Sequence, residues 1–110
     1  ILDPKYDANG LITAVISDVA DGVVLVVGHM NGEALAKTRE TGTVHFFSRS
    51  RQRLWQKGES SGHFLHVVDM RIDCDQDAVW IIAKPDGPTC HTGERSCFYR
   101  QIGADGLVRQ

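Results

Sequence analysis

Two apolar stretches near the N-terminus, joined by a tight-turn signal, limit the fold more than any other feature of the sequence. Residues 11–19, "LITAVISDV", are rich in β-branched residues, and residues 23–30, "VVLVVGHM", form an almost continuous apolar run. Asp21 and Gly22 lie between them, and an Asp-Gly pair in this position favours a β-hairpin. We therefore predict two antiparallel strands here, the second of them buried on both faces.

One helix and further strands are predicted beyond this hairpin. Residues 30–42 predict a helix, because Asn31 can cap its start and Gly42 can end it. Further strands are predicted at 43–48, 63–74, 78–84 and 96–102, with a turn at 85–88, while residues 49–58 fit either a short helix or an extended loop. Since the strands and helices do not alternate, we predict an α+β fold of mainly antiparallel β structure, barrel-like or a sandwich, with one or two short helices.

The bulk properties describe an ordinary small protein. A length of 110 residues suits one domain, and a net charge of −2 gives no general attraction to nucleic acid or to an anionic membrane. No apolar run approaches the roughly 20 residues that would cross a bilayer. Three cysteines cannot all pair within one chain, which suits the reducing cytoplasm, where thiols serve as ligands or nucleophiles. We therefore expect a cytoplasmic protein with no nucleic-acid or membrane partner.

The three thiols have a spacing that leaves two interpretations open. Cys74, Cys90 and Cys97 lack the close C-x2-C pairs of structural zinc sites. Three protein ligands with a fourth position open to water are typical of a catalytic zinc, but buried free cysteines would give the same spacing. The polar surroundings in "GPTCHTGERSC", with Arg95 between two of the cysteines, favour thiolate ligands.

The segment "DCDQD" at residues 73–77 combines a thiol with three carboxylates. If it continues a strand, Asp73, Asp75 and Asp77 share one face and Cys74 lies on the other. Three carboxylates on one face suit Mg2+ or Ca2+, and a solvated acidic turn is the alternative.

A basic segment, "SRSRQRLWQK", precedes these motifs. It contains no acidic residue and four basic ones: Arg49, Arg51, Arg53 and Lys57. Arg can bind phosphate oxygens through two parallel hydrogen bonds. Trp55 offers a face on which a base can stack. A solvated basic surface is the alternative, and the patch is too short to indicate nucleic-acid binding.

Taken together, four segments resemble one family. "HFFSRSRQRLWQKGESSGH", "DCDQDA" and "GPTCHTGERSCFYR" resemble phosphoribosyl-AMP cyclohydrolase of histidine biosynthesis, and "HMNGEALAKTRETG" fits the N-terminal part of the same family. The resemblance covers nearly the whole chain, so residues 1–110 are expected to form a single domain of this family. It implies hydrolytic opening of the adenine ring of phosphoribosyl-AMP at the N1–C6 bond, by an intertwined homodimer that uses zinc and magnesium.

The resemblance also implies roles for individual residues. One zinc per subunit would lie at the dimer interface, with the first ligand from one subunit and the others from its partner: Cys74, Cys90 and Cys97. The Mg2+ ligands would be Asp73, Asp75 and Asp77. His91 would move the protons while a zinc-activated water attacks the ring. Beyond the resemblance, we expect a set of basic residues to orient the phosphates: Arg49, Arg51, Lys57 and Arg95. Trp55 would stack on the base. Glu59 and His63 are further pocket candidates, for which ordinary loop structure is the alternative.

Three competing interpretations make different demands on the sequence. An EF-hand loop starting at Asp73 would need glycine and glutamate where Ala78 and Lys84 stand. A nucleobase deaminase would need H-x-E followed by P-C-x-x-C, and neither motif occurs. A zinc-stabilised binding module would need a fourth protein ligand, for which His91 or His63 is available.

Overall fold

The structure, a computed structural model, describes residues 1–109. The elements in this range are, in chain order, β1 (Ile12–Asp18), β2 (Val24–Met30), α1 (Gly32–Thr41), β3 (His45–Ser48), β4 (Arg53–Gln56), β5 (Leu65–Ile72), β6 (Ala78–Pro85), β7 (Arg100–Gly103) and β8 (Gly106–Arg109). The prediction of mainly antiparallel β structure with one short helix is confirmed in this coarse form. The sheets of the described residues do not close into a barrel.

The N-terminal hairpin forms as predicted. Strands β1 and β2 pair in antiparallel fashion, and the Asp18 N–H donates to the carbonyl of Val23 over 2.8 Å to close the turn. Gly22 lies in the left-handed region at φ 78°, which glycine adopts without the steric cost that a side chain would bring.

A four-stranded mixed sheet in the order β2-β1-β6-β5 carries the core. The β5–β6 hairpin places β6 parallel to β1, a long-range pairing that local sequence patterns do not specify. The prediction that β2 is buried on both faces is wrong, since Val24 and Val27 are 38% and 40% exposed. Within residues 1–109, the helix and β3 contact β2, whose Leu25 and Met30 are buried, and no other element covers its second face.

The helix has the ends that the sequence predicted. The Asn31 side chain accepts a hydrogen bond from the Ala34 N–H over 2.8 Å, and Gly42 ends the helix at φ 74°. The buried Thr38 hydroxyl accepts a hydrogen bond from the His45 N–H over 2.9 Å, which ties the helix to the start of β3. Capping and this cross-link together position the β3–β4 hairpin.

Residues 49–58, left open between helix and loop, contain the extended strand β4. It pairs with β3 so that Phe46 lies opposite Trp55, with ring centroids 5.4 Å apart. Phe46 also packs closely over Gly28 of β2, where a Cβ atom would lie 2.6 Å from the ring. The hairpin is thereby fixed against the main sheet, and Trp55 packs, half-buried, against the core.

The C-terminal part departs from the prediction of a strand at 96–102. Strand β7 begins only at Arg100 and pairs with β8, which the sequence patterns did not indicate. Residues 96–99 instead continue the loop that carries the last two cysteines. Ile102 is 87% exposed and Leu107 62% exposed on this hairpin. Among residues 1–109, no helix has the length and apolar character needed to cross a membrane.

Candidate active site and metal centres

A cavity of about 410 Å³ opens between the β4–β5 connection and the loop of residues 89–97, called here the cysteine loop. Of the residues predicted for the site, it brings together Trp55, Lys57, Glu59, His63, Cys90, His91 and Cys97. These come from two separate stretches of sequence, 55–63 and 90–97, so the fold assembles a constellation that no single motif contains.

A second hollow of about 460 Å³ adjoins this cavity. Its wall includes Ser48, Ser50 and Arg51 from the basic segment. The two hollows share Trp55 and His91 among their lining residues. They therefore form one groove, called here the substrate groove, with thiols at one end and a basic wall with hydroxyl groups at the other.

Two of the three thiols meet at the deep end of the groove. Cys90 is only 8% exposed, and its sulfur accepts a hydrogen bond from the Thr92 hydroxyl over 3.0 Å. This hydrogen bond is the main reason why the pKa of Cys90 is lowered. The pKa of Cys97 is raised, first by partial loss of hydration and then by the neighbouring Cys90. Adjacent thiols of which one ionises readily fit a soft cation such as Zn2+.

Backbone hydrogen bonds hold the cysteine loop in shape. The Cys90 N–H donates to the carbonyl of Glu94 over 3.1 Å, and the Gly93 N–H donates back to the carbonyl of Cys90 over 3.0 Å. The Cys97 N–H donates to the carbonyl of Leu25 over 2.8 Å. Cys97 is thus attached to the edge strand β2, while Cys90 sits at the start of a tight turn.

The prediction that the "DCDQD" segment lies on a strand is wrong. It forms the turn between β5 and β6, because the Asp73 carboxylate accepts hydrogen bonds from the N–H groups of Asp77 and Ala78, at 2.9 and 3.1 Å. Gln76 lies at φ 61° within this turn. Oxygen atoms of Asp73, Asp75 and Asp77 nevertheless lie within 4.8 Å of one another. The carboxylates converge through a turn and not through strand alternation.

The three carboxylates perturb one another. The pKa of Asp77 is raised to about 6, first through its hydrogen bond with Asp75 and then through that with Asp73. Loss of hydration pushes the pKa of Asp73 upwards, but the hydrogen bonds it accepts, beginning with that from Asp77, outweigh this effect and lower it. A divalent cation would relieve this crowding of like charges, so the donor set fits Mg2+.

Cys74 lies exposed in the same turn, apart from the other two thiols. Within residues 1–109, the carboxylate cluster is the only group of three or more metal-binding side chains that converge. The three cysteines therefore do not form a complete ligand set within one protomer.

Comparison with known proteins identifies the family. Residues 26–99 match the family phosphoribosyl-AMP cyclohydrolase. The chain belongs to this family. A phosphoribosyl-AMP cyclohydrolase of Rhizorhabdus wittichii is 65% identical over 110 residues, covering 98% of this chain and 89% of the relative. Those of Brucella anthropi and Brucella abortus are 60% and 58% identical, covering 93% and 94% of this chain and 74% and 88% of theirs. The resemblance found in the sequence, and with it the prediction of a hydrolase, is confirmed.

Two residues that were predicted to bind the substrate lie away from the substrate groove. Arg49 lines a separate hollow of about 300 Å³ near Phe47 and Gln52. The Arg95 guanidinium donates to the carboxylates of Asp18 and Asp21. Neither arginine lines either part of the groove.

Three other residues of the predicted substrate set line the groove but are also bound to protein groups. The Lys57 ammonium donates to the carbonyl of Thr89 over 2.5 Å, and His63 Nδ1 lies 3.1 Å from the carbonyl oxygen of Pro88. The Glu59 carboxylate accepts from the Gln56 N–H over 2.7 Å. These contacts fix the groove wall that faces the cysteine loop.

Sequence reasoning missed Thr89, which lies beside Cys90 in the groove wall. It is buried, and its hydroxyl has no hydrogen-bond partner among the described residues. The sequence signal was its position inside "GPTCH", next to a predicted ligand. Sequence reasoning also missed Gly87 of the same segment. A Cβ atom at this position would lie 2.9 Å from the ring of His63.

Proposed function

We propose that the chain hydrolyses phosphoribosyl-AMP in histidine biosynthesis, opening the adenine ring at the N1–C6 bond. One observation carries the proposal: in a member of this family, a single groove joins the Cys90–Cys97 thiols to a basic wall, with His91 between them. A ring-opening site for a nucleotide with two phosphates needs both features in one place. We also propose that residues 1–110 act as one cytoplasmic domain.

The groove supports one orientation of the substrate. The adenine ring would lie at the thiol end, where Trp55 provides an aromatic wall on which a base can stack. A phosphate would lie at the other end, where Arg51 and the hydroxyl groups of Ser48 and Ser50 line the wall. In this orientation the reacting carbon faces the side chains of His91 and Cys90.

The thiols support a shared zinc site. Cys90 and Cys97 of one protomer, with Cys74 from the partner, would hold the metal in an intertwined homodimer. When bound, zinc lowers the pKa of a coordinated water to about 7 and so supplies a nucleophile near neutral pH. The separation of Cys74 from the other thiols within one chain supports a site that needs two chains.

The exposed C-terminal hairpin also supports association of two chains. Side chains of Ile102, Leu107 and Val108 are exposed on it, and Phe98 is exposed just before it. Apolar groups that gather on one projecting element are typical of an interaction surface. Among residues 1–109, β7 and β8 pair only with each other, and Arg109 of β8 forms an ion pair with Glu94 of the cysteine loop. The exposed apolar side chains of the hairpin would contact the second copy.

The remaining residues of the proposal handle charge and protons. Asp73, Asp75 and Asp77 would hold Mg2+, which would offset the negative charge of the phosphates. His91 would take a proton from the attacking water. That proton would return to N1 as the N1–C6 bond breaks. The second proton of the water would pass from the oxygen on C6 to the exocyclic nitrogen, so that a carboxamide forms and the neutral product equals the neutral substrate plus one water.

Product analysis in ¹⁸O-labelled water tests the proposed reaction. Protein incubated with phosphoribosyl-AMP, Zn2+ and Mg2+ should yield a product heavier than the substrate by one labelled water, with the label in the new carboxamide. Release of ammonia with the label in an inosine-type product would contradict ring opening, and so would an unchanged mass. His91→Ala should slow label incorporation without loss of bound zinc, which separates proton transfer from metal binding.

A further inference from the structure

Arg95 links the cysteine loop to the distant β1–β2 turn. It lies between Cys90 and Cys97 in the chain, yet its Nη2 atom donates to Asp18 over 3.0 Å and to Asp21 over 2.8 Å. Those aspartates begin and occupy the turn of the N-terminal hairpin. One guanidinium therefore attaches the middle of the loop to a rigid part of the sheet.

Neighbouring contacts attach the same stretch to the same hairpin. The Ser96 hydroxyl donates to the carbonyl of Val24 over 2.6 Å, and the Cys97 N–H donates to the carbonyl of Leu25 over 2.8 Å. The Arg95 carbonyl in turn accepts a hydrogen bond from the Thr89 N–H over 3.1 Å, which closes the loop across its base. Arg95 thus contacts both the hairpin and the residue beside Cys90.

The surroundings of Arg95 do not suit a phosphate. Two carboxylates oppose one guanidinium, so the cluster of Arg95, Asp18 and Asp21 carries a net negative charge at neutral pH. Asp18 is buried, and a buried carboxylate is costly unless a cation remains beside it. The hydrogen bond from Arg95 is also the main reason why the pKa of Asp21 is lowered. A phosphate at this place would have to displace carboxylates that already satisfy the guanidinium.

We infer that Arg95 is a positioning residue: it fixes the cysteine loop on the β1–β2 turn so that the thiols of Cys90 and Cys97 stay together for a metal ion, and it does not bind the substrate. The inference rests on the proposed function, in which these thiols hold zinc. It replaces the phosphate-binding role that we expected for Arg95 from the sequence. Residues that orient metal ligands from outside commonly change metal affinity when they are substituted.

The Asp18→Asn variant separates the two roles, because they predict opposite results. If Arg95 positions the loop, Asp18→Asn and Arg95→Gln should both weaken zinc binding by about 10- to 100-fold in a chelator competition. Both should also reduce the thiolate-to-metal absorption band of Co2+-substituted protein. At saturating zinc, KM for phosphoribosyl-AMP should stay near the wild-type value. Arg39→Gln, at an exposed position on the helix, is the matched control and should change none of these quantities.

A phosphate-binding Arg95 would give another pattern. Asp18→Asn would then release the guanidinium and lower KM, while Arg95→Gln would raise KM and leave zinc affinity intact. That pattern would overturn the inference. The double variant gives a further check, since the loss in zinc affinity for Asp18→Asn with Arg95→Gln should be no greater than for Arg95→Gln alone.

Hydrogen exchange of the metal-free protein tests the inference independently of metal binding. Backbone amides of residues 89–97 should exchange faster in metal-free Arg95→Gln than in metal-free wild type, while amides of the helix exchange at the same rate. Equal exchange in the cysteine loop would overturn the inference. If wild type binds neither Zn2+ nor Co2+, the proposed function fails, yet the exchange result still decides the positioning role. Arg95→Lys, which retains the charge, should restore part of the protection from hydrogen exchange. It takes the place of Arg95→Gln in this experiment if Arg95→Gln does not fold.

Discussion

Mixing two inactive variants tests whether two chains share one zinc site. Cys74 lies in the β5–β6 turn and does not converge with Cys90 and Cys97 in one chain. A site built from Cys74 of one protomer and the other two thiols of its partner has a definite stoichiometry. We therefore expect Cys74→Ser and Cys97→Ser each to be inactive alone but active when combined in one heterodimer.

The expected magnitude follows from twofold symmetry. A symmetric dimer holds two equivalent sites. In the heterodimer, the chain with Cys74→Ser supplies intact Cys90 and Cys97, and its partner supplies an intact Cys74, so one site is complete. The other site lacks both altered thiols. The heterodimer should therefore show about half of the wild-type kcat and bind about one zinc per dimer, where wild type binds about two.

The assay needs heterodimers free of either parent. Co-expression of the two variants with different affinity tags, followed by purification on both tags, provides them. The matched control is a heterodimer of a Cys90→Ser chain with a Cys97→Ser chain. Each chain contributes its own Cys90 and Cys97 to one site, so each of the two sites then lacks one thiol. Activity in the control, or none in the Cys74→Ser and Cys97→Ser heterodimer, would refute the shared site.

Three further predictions concern the carboxylate turn and the core. Asp75→Asn should raise the Mg2+ concentration for half-maximal activity, and an unchanged magnesium titration would exclude the cluster as the Mg2+ site. Because the folded-state pKa of Asp77 is raised to about 6, the native state holds its proton longer than the unfolded state. In urea unfolding, the free energy of unfolding of metal-free wild type should therefore fall relative to that of Asp77→Asn as pH rises from about 4 to 6. The same pH dependence in both proteins would refute this. Gly28→Ala should reduce stability by about 1–3 kcal/mol through contact with Phe46, and an unchanged unfolding midpoint would contradict that packing.

Local chemistry explains which elements could be predicted. The Asp21-Gly22 turn and the helix between Asn31 and Gly42 depend on neighbouring residues, whose conformational preferences are visible in the sequence. The family motifs likewise indicated the thiol and carboxylate sets. These features need no knowledge of how distant segments meet.

The features that could not be predicted depend on long-range contacts or on side chains that bind their own backbone. The carboxylate of Asp73 turns the chain at a point where strand alternation appeared to continue. The parallel pairing of β1 with β6 joins segments far apart in sequence. Arg95 resembled a phosphate ligand because its partner Asp18 lies 77 positions away in the chain. The exposure of β2 depends on which other elements cover the sheet, and this is likewise a long-range feature.

In the proposed function, ring opening of phosphoribosyl-AMP by this chain depends on zinc held by its cysteines. Ultraviolet absorbance of the purified protein mixed with phosphoribosyl-AMP and Mg2+ tests it most directly. We expect a spectral change that a zinc chelator abolishes, that added Zn2+ restores, and that Cys97→Ser lacks. No spectral change in a sample with confirmed zinc, or full activity in Cys97→Ser, would contradict it.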